Sequence, residues 1–291
     1  MARESTNPAL TRIPQLNGRA NGSRGFPPPP TPPAGPTGGI DYTRRDRGAD
    51  PLEVGFGRPP AGPVETGRMT VDDVVMRTGM MLGLIVLMAA ITWVADLQAL
   101  TFPAAIIGLV LGLVITFKQI TNPALILTYA AVEGVFLGGL SKIIGGFVDG
   151  RAGEAGAGNA VVVQALVGTI GVATLMLFLY RTGRIRVTPQ FQKMVIFATL
   201  GFFVLIMANF VFSIFSGSAG LRGGTLGIIV GVVAIALASM NLVLDFDLIE
   251  KAARQGVPER YGWLAAFGLV VTLVWLYVEI LRLLALLTGR D

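Results

Sequence analysis

The sequence predicts an all-α membrane protein in which a disordered N-terminal tail precedes a seven-transmembrane-helix bundle. The composition, with 53% hydrophobic and 14% charged residues, is too apolar for a soluble globular domain. Mean hydropathy is +0.67 over the whole chain. From residue 70 onward the apolar residues form seven runs, each near the roughly 20 residues that cross a hydrocarbon core of about 30 Å. We therefore expect a tail over residues 1–67 and a transmembrane domain over residues 68–291.

The tail differs from the rest of the chain in its richness in proline, glycine and arginine. It contains the proline run 27–30 and few of the apolar residues that a folded core requires, so we expect it to be disordered. It contains no apolar stretch of signal-peptide length, which argues against a cleaved signal or an anchor. Proline-rich segments bind SH3-like or WW-like domains, but a solvated cytoplasmic linker is the favoured interpretation.

Two residue types are missing from the sequence, and their absence limits its chemistry. Without Cys or His, the chain has no disulfide bonds or Cys/His zinc sites, and acid/base work falls to Asp and Glu. We predict no enzymatic activity, no catalytic residues and no cofactor. The net charge of +5 is interpreted as a topology signal and not as a sign of nucleic-acid binding, because no nucleic-acid motif accompanies it.

The seven predicted helices follow one another with short connections. Thr70 and Asp73 have capping-box spacing before the first helix, and Pro123 is a favoured first-turn residue of the third. Glycines at four-residue spacing within the runs allow close helix packing. The predicted spans are 74–95, 100–117, 123–147, 160–180, 191–215, 225–249 and 263–287.

Basic residues predict the orientation of the bundle. One side of the predicted membrane carries most of those in the connections, namely Lys118, Arg181, Arg184, Arg186, Lys193, Lys251, Arg254 and Arg260. The positive-inside rule places this side, with the N-terminus, in the cytoplasm. After seven crossings the C-terminus lies outside.

Acidic residues within apolar runs are the leading functional candidates, because a charge in the bilayer centre costs about 3 kcal/mol or more. Glu133 lies in the middle of the third span, and Asp245 lies about one turn from the end of the sixth, with Asn241 one turn before it. Two interpretations of Glu133 stay open, a pathway role and a hydrogen-bonded residue that locks helices together. For Asp245 the alternative to a pathway role is an interfacial acid paired with a basic neighbour. Asp247 points away from Asp245 and is interpreted as a solvated interfacial carboxylate.

The last span carries a polar stripe. Glu279 and Arg282 are three residues apart, a spacing that allows an ion pair on one helix face. A structural pair is the favoured interpretation, with a place in an ion pathway as the alternative. Thr272 lies two turns before Glu279 on the same face, so water can follow this stripe.

Several segments of the sequence resemble one family. LDFDLIEKA at 244–252, RQGVPERY at 254–261 and AAFGLVVTLVWLYVEILRLL at 265–284 resemble the last two helices of the Bax inhibitor-1 family, also described as transmembrane Bax inhibitor motif or YccA-like proteins. EGVFLGG at 133–139 resembles its third helix, and TNPAL at 6–10 and 121–125 resembles actinobacterial members. The resemblance covers about residues 70–287, and it implies a seven-helix bundle in a bacterial plasma membrane.

The resemblance also implies a function. Some members are pH-sensitive calcium leak channels, and others modulate a membrane-bound AAA protease or oppose cell death. In the channel-like members an aspartate on helix six shares a proton with one on helix seven when the channel is closed. Asp245 matches the first aspartate, whereas Thr272, ten residues before Arg282, occupies the place of the second. Glu279 lies about 10 Å further along the helix axis than Thr272, so it substitutes only if the helices bring it to the pore.

The leading hypothesis is a pH-influenced calcium leak pathway lined by Glu133, Asp245 and Glu279, with transient calcium contacts at Glu133 and Asp245. The alternative is a non-conducting regulator of a membrane-bound AAA protease or another membrane complex. A retinal protein is not expected, because the seventh span contains no lysine for a Schiff base. An intramembrane protease is not expected either, because no two aspartates lie mid-span in different helices.

Overall fold

The computed structural model describes residues 67–153, 155–217 and 220–288. Seven of the helices in these residues are long and apolar enough to cross a membrane, which confirms the predicted fold class. They are α1 (Val71–Val94), α2 (Thr101–Lys118), α3 (Pro123–Ala152), α4 (Ala157–Arg181), α5 (Pro189–Ser216), α6 (Gly224–Arg254) and α7 (Tyr261–Thr288). One-turn 3₁₀ helices precede α2 at Gln98–Leu100 and α6 at Gly220–Arg222. The predicted disordered tail, 1–67, lies outside the described residues except for its last position.

Helices α1 and α3 begin at the capping residues that the sequence predicts. Thr70 Oγ1 accepts a hydrogen bond from Asp73 N, and the Asp73 carboxylate accepts one from Thr70 N, each at 3.2 Å. This capping box satisfies two backbone N–H groups that the first turn of α1 leaves unpaired. Pro123 opens α3 after its cap Asn122, whose side chain accepts from Ala124 N.

Helix α6 continues five residues beyond its predicted end at residue 249. At the end of the apolar run, Asp247 pairs with Lys251 at 2.6 Å, and Glu250 pairs with Arg254 about one turn further on. Both pairs have the i,i+4 spacing that stabilises a helix. Asp247 is therefore an ion-paired residue with a side chain only 16% exposed, which differs from the solvated carboxylate of the prediction.

Helix α3 also continues past its predicted end at residue 147. It stops before Gly153, whose φ of +67° turns the chain out of the helix. The extension carries Asp149, whose Oδ1 accepts hydrogen bonds from Gly156 N at 3.0 Å and Gly158 N at 2.8 Å. The polar end of α3 thus satisfies backbone donors at the start of α4.

The centre of the bundle is formed by α3 and α7. Helix α3 packs against α1, α2, α4 and α7, and α7 packs against α1, α3, α4 and α6. Half of each apolar stretch is buried in these two helices, compared with 11% in α4 and in α5. Most of the large apolar side chains of α4 and α5 therefore face outward, as in helices that contact lipid.

The chain crosses the bundle alternately, so its two ends can be named. The N-side is the end where α1 begins, and the C-side is the opposite end. On the C-side, Lys142 Nζ contacts Asp96 Oδ1 and the Trp93 carbonyl oxygen, each at 2.8 Å. The hydrogen bond from Lys142 keeps the pKa of Asp96 below its usual value, and it anchors the connection between α1 and α2 to α3.

On the N-side, the residues before α1 pair with the connection between α6 and α7. Met69 N donates to the Val257 carbonyl oxygen at 2.8 Å, and Glu259 N donates to the Gly67 carbonyl oxygen at 3.0 Å. Arg68 and Pro258 face each other in the resulting antiparallel bridge. We call residues 67–70 the N-terminal strap.

Glycines set the close approach of α1 and α3. A Cβ atom on Gly134 would lie 2.6 Å from the Ile85 carbonyl oxygen, and one on Gly138 would lie 2.5 Å from the Ala89 carbonyl oxygen. Both distances are too short for a real side chain, so the two backbones touch only because these positions lack a Cβ. The glycines predicted to support packing therefore have this role at the α1–α3 contact.

We expect Gly138→Ala to lower the free energy of unfolding by about 1–3 kcal/mol, the usual cost of overpacking, because α1 must move away from α3. Thermal unfolding of the purified protein in detergent measures this change. The matched control is Gly146→Ala, since Gly146 lies on the same helix with no atom within 4 Å of the added Cβ. Equal stability of the two variants would contradict the close contact.

Candidate functional site

Asp245 and Thr272 meet at the contact between α6 and α7. Thr272 Oγ1 donates a hydrogen bond of 2.6 Å to Asp245 Oδ2, and it also lies 3.3 Å from the Gly268 carbonyl oxygen. Thr272 is the residue that the resemblance places opposite Asp245. At this position the structure has a carboxyl group in contact with a hydroxyl group. The resemblance to channel-like members implies two carboxyl groups in contact there.

A cavity of about 420 Å³ extends from the N-side to Asp245. Its walls come from the strap, the end of α2, the last turns of α6 and the first turns of α7. They include Met69, Thr116, Gln119, Val257, Tyr261 and Gly268. Most of the lining is apolar. Asp245 is the one acidic side chain among the residues that line this cavity.

The bundle is closed on the C-side of Asp245. Leu242 lies one turn before Asp245 on α6, and Leu276 lies one turn after Thr272 on α7. Both leucine side chains are fully buried and belong to the hydrophobic core. A cation or water at Asp245 therefore meets packed side chains towards the C-side in this conformation.

Glu133 is buried in α3 but does not line the cavity that contains Asp245. It faces α2, where a Cβ on Gly108 would lie 3.0 Å from Glu133 Oε2. Tyr129, one turn earlier on α3, interacts with the Glu133 carboxyl group. The Tyr129 ring packs edge-on against Phe267 at 4.9 Å, and Phe267 lines the Asp245 cavity. Glu133 and Asp245 therefore do not share this cavity, and the pathway past both acids stays a prediction.

Glu279 lies between two arginines near the C-side. Arg282 Nη2 donates to Glu279 Oε2 at 2.6 Å, and Arg222 Nη2 donates to Glu279 Oε1 at 2.7 Å. The Glu279 side chain is only 4% exposed. The expected pair with Arg282 is found, and both carboxylate oxygens are occupied. This arrangement fits the structural interpretation of Glu279 and leaves it outside the Asp245 cavity.

Asn241 does not join Asp245, although the two are one turn apart on α6. Its Nδ2 donates to Thr199 Oγ1 of α5 at 2.7 Å and to the Leu237 carbonyl oxygen at 2.8 Å. This amide ties α6 to α5. Asn241 and Asp245 thus lie on one face of α6, as their spacing predicts, but Asn241 contacts α5 and Asp245 contacts α7.

Three functional or structural partners were not foreseen from the sequence. Arg222 lies 57 residues before Glu279, and the sequence gives no sign that the two meet. Met69 enters the cavity wall from the strap. Arg77 lies inside the first span and contacts Glu259, and an arginine in an apolar run is a visible signal of such a buried partner.

A calcium ion would find few acidic ligands at this site. Within the part of the chain that the structure describes, no three acidic side chains group closely enough to hold a metal ion. In the cavity, Asp245 offers a carboxylate, while Thr116 and Gln119 offer neutral oxygen atoms. Such a donor set suits weak, passing contact with a hard cation better than a high-affinity site.

Comparison with known proteins identifies the family. A family model described as Bax inhibitor 1 like matches residues 7–289. The match is longer than the range of about 70–287 expected from the sequence, and it includes most of the proline-rich tail. In a comparison with curated proteins, none matches this chain. The chain belongs to the Bax inhibitor 1-like family of membrane proteins.

Proposed function

We propose that this protein is a pH-influenced cation leak pathway, with calcium as the ion and Asp245 as the titrating group. The observation that carries the proposal is the placement of Asp245 at the inner end of the N-side cavity. Its carboxyl group accepts from Thr272, and none of the ion pairs among the described residues includes it. A carboxyl group in this position is available to protons and cations that enter the cavity.

The proposed mechanism follows from the cost of an unpaired buried charge. When Asp245 is protonated, the neutral group and its hydrogen bond with Thr272 fit the closed contact between α6 and α7. When Asp245 is ionised, a buried carboxylate without a cation is unfavourable. A conformation that admits water and a cation lowers this cost, so ionisation shifts the population towards opening. Ion flux should therefore rise as the pH rises.

The proposed pathway starts in the cytoplasm of a cell whose plasma membrane contains the bundle. Arg181, Lys251 and Arg254 all lie at helix ends on the N-side. The positive-inside rule places such a side in the cytoplasm, and the cavity then opens there. The C-terminus of α7 lies on the outer face.

Calcium influx into proteoliposomes loaded with a calcium-sensitive dye tests the proposal. We expect the wild-type protein to give faster influx at pH 8 than at pH 6, and Asp245→Asn to lose this difference because its side chain does not titrate. Asp247→Asn is the matched control, since Asp247 lies two residues away on α6 but pairs with Lys251 outside the cavity. Glu133→Gln should also keep the pH response. Influx that Asp245→Asn leaves unchanged would overturn the assignment.

The second candidate is a non-conducting regulator of a membrane-bound AAA protease or another membrane complex. Two observations favour it, namely the hydroxyl group of Thr272 in place of a second carboxyl group and the family match along the tail. The same influx measurement separates the candidates. A well-folded wild-type protein that gives no influx at either pH would support the regulator and exclude the leak pathway.

A further inference from the structure

We infer that the N-terminal strap, residues 67–70, is a detachable wall that narrows the N-side entrance of the Asp245 cavity. The effect of the strap on ion flux rests on the function proposed above, whereas its effect on access to Asp245 does not.

The strap narrows the cavity through Met69. This side chain is only 2% exposed, and it lines the same cavity as Asp245. Space for it is provided by Gly262 at the start of α7, where an added Cβ would lie 3.4 Å from Met69 Cγ. Met69 therefore fills room that water would otherwise occupy at the N-side end of the cavity.

The attachment of the strap is short. It consists of the two backbone hydrogen bonds, from Met69 N to Val257 and from Glu259 N to Gly67, around the Arg68–Pro258 bridge. Gly256 lies beneath the Arg68 side chain, where an added Cβ would be 3.3 Å from Arg68 Cδ. An isolated pairing of this length has little stability of its own, so Met69 burial is the main contact that keeps the strap in place.

The loop beneath the strap has an anchor of its own. Arg77 Nη1 donates to the Glu259 carbonyl oxygen at 2.7 Å, and its Nη2 contacts Glu259 Oε1 at 2.5 Å. The same guanidinium lies 5.3 Å from the centre of the Trp263 ring, and Arg77 is only 8% exposed. These contacts come from α1 and not from the strap, so the loop can keep its position when the strap leaves.

The consequence is that the position of the strap controls the width of the entrance to Asp245. The strap follows directly on the tail in the chain, and the family match includes both. Detachment moves Met69 out of the cavity wall and widens the N-side entrance to Asp245.

A reversible disulfide tests this inference, because the native chain contains no cysteine. Facing residues of an antiparallel bridge have Cα atoms about 4.5–5.5 Å apart, which is within the range of a disulfide of about 4.4–6.8 Å. The variant is therefore the full chain with Arg68→Cys and Pro258→Cys. It is compared with itself after oxidation and after reduction, so any folding defect affects both states equally. Each single-cysteine variant controls for the oxidant.

Access to Asp245 is measured by its modification with a water-soluble carbodiimide, quantified by peptide mass spectrometry. We expect several-fold less modification in the oxidised protein than in the reduced protein. Met69→Ala should raise the modification several-fold, while its matched control Met80→Ala, at a half-exposed position of α1, should not. Equal modification in both redox states, or in Met69→Ala and the wild type, would overturn the inference.

Calcium influx in the same samples separates the two proposals. If modification responds to the disulfide while influx is absent in every sample, the strap inference holds and the leak function is wrong. If influx depends on Asp245 but neither influx nor modification responds to the disulfide, the leak function holds and the strap inference is wrong.

Discussion

The Glu279→Gln substitution is expected to lower the free energy of unfolding by about 3–5 kcal/mol, the usual loss when one member of a buried ion pair is removed. Gln has nearly the same shape as Glu but no charge. The guanidinium groups of Arg222 and Arg282 would then lie beside each other without the carboxylate that both contact. Burial lowers the pKa of Arg222, while the Glu279 carboxylate acts in the opposite direction. Removing Glu279 therefore leaves the burial cost uncompensated.

Thermal unfolding in detergent measures this loss for Glu279→Gln and for its control Asp96→Asn. Asp96 also forms an ion pair, with Lys142, but its side chain is 70% exposed, so little change is expected. A triple variant, Arg222→Met with Glu279→Leu and Arg282→Met, should recover much of the stability, because apolar residues of similar volume need no counter-charge. If Glu279→Gln and Asp96→Asn lower the thermal stability by similar amounts, water already screens the charges of Glu279, Arg222 and Arg282.

The fold was predictable because membrane helices are specified by local composition. Each run of about 20 apolar residues must satisfy its own backbone hydrogen bonds in lipid, which requires a helix wherever such a run occurs. The ends were less predictable. Apolarity stops at residue 249, yet α6 continues because Asp247 and Glu250 find basic partners one turn later. Short-range charge pairs extend a helix beyond the part that hydropathy detects.

The site was only partly predictable, because hydropathy does not determine how helices rotate about their axes. Counting residues back from Arg282 placed Thr272 opposite Asp245, and the structure has this contact at 2.6 Å. The depth of Glu133 was also evident, but not its rotation towards Gly108 on α2. Contacts between distant segments, such as Arg222 with Glu279, depend on how the whole bundle packs, so the sequence alone gave no sign of them.

Thr272→Asp is expected to change the pH dependence of ion flux from one titration step to two. The new carboxyl group would take the place of the hydroxyl that now contacts Asp245, and two carboxyl groups at this distance titrate as a coupled pair. Calcium influx recorded from pH 5 to pH 9 measures the change. We expect the wild-type curve to fit a single group, and the Thr272→Asp curve to require two macroscopic steps.

Thr272→Val is the matched control for this experiment, because it keeps the β-branched shape and removes only the hydroxyl donor. It should retain one titration step, since Asp245 is still the single acid in the cavity, while closure weakens with the loss of the hydrogen bond. The pair of variants separates charge from shape at one position. If Thr272→Asp and the wild type give the same curve, Asp245 does not control the flux, and its bond with Thr272 is a structural link between α6 and α7. If only Thr272→Asp gives two steps, a single side chain accounts for the difference between this protein and a two-carboxylate pH sensor.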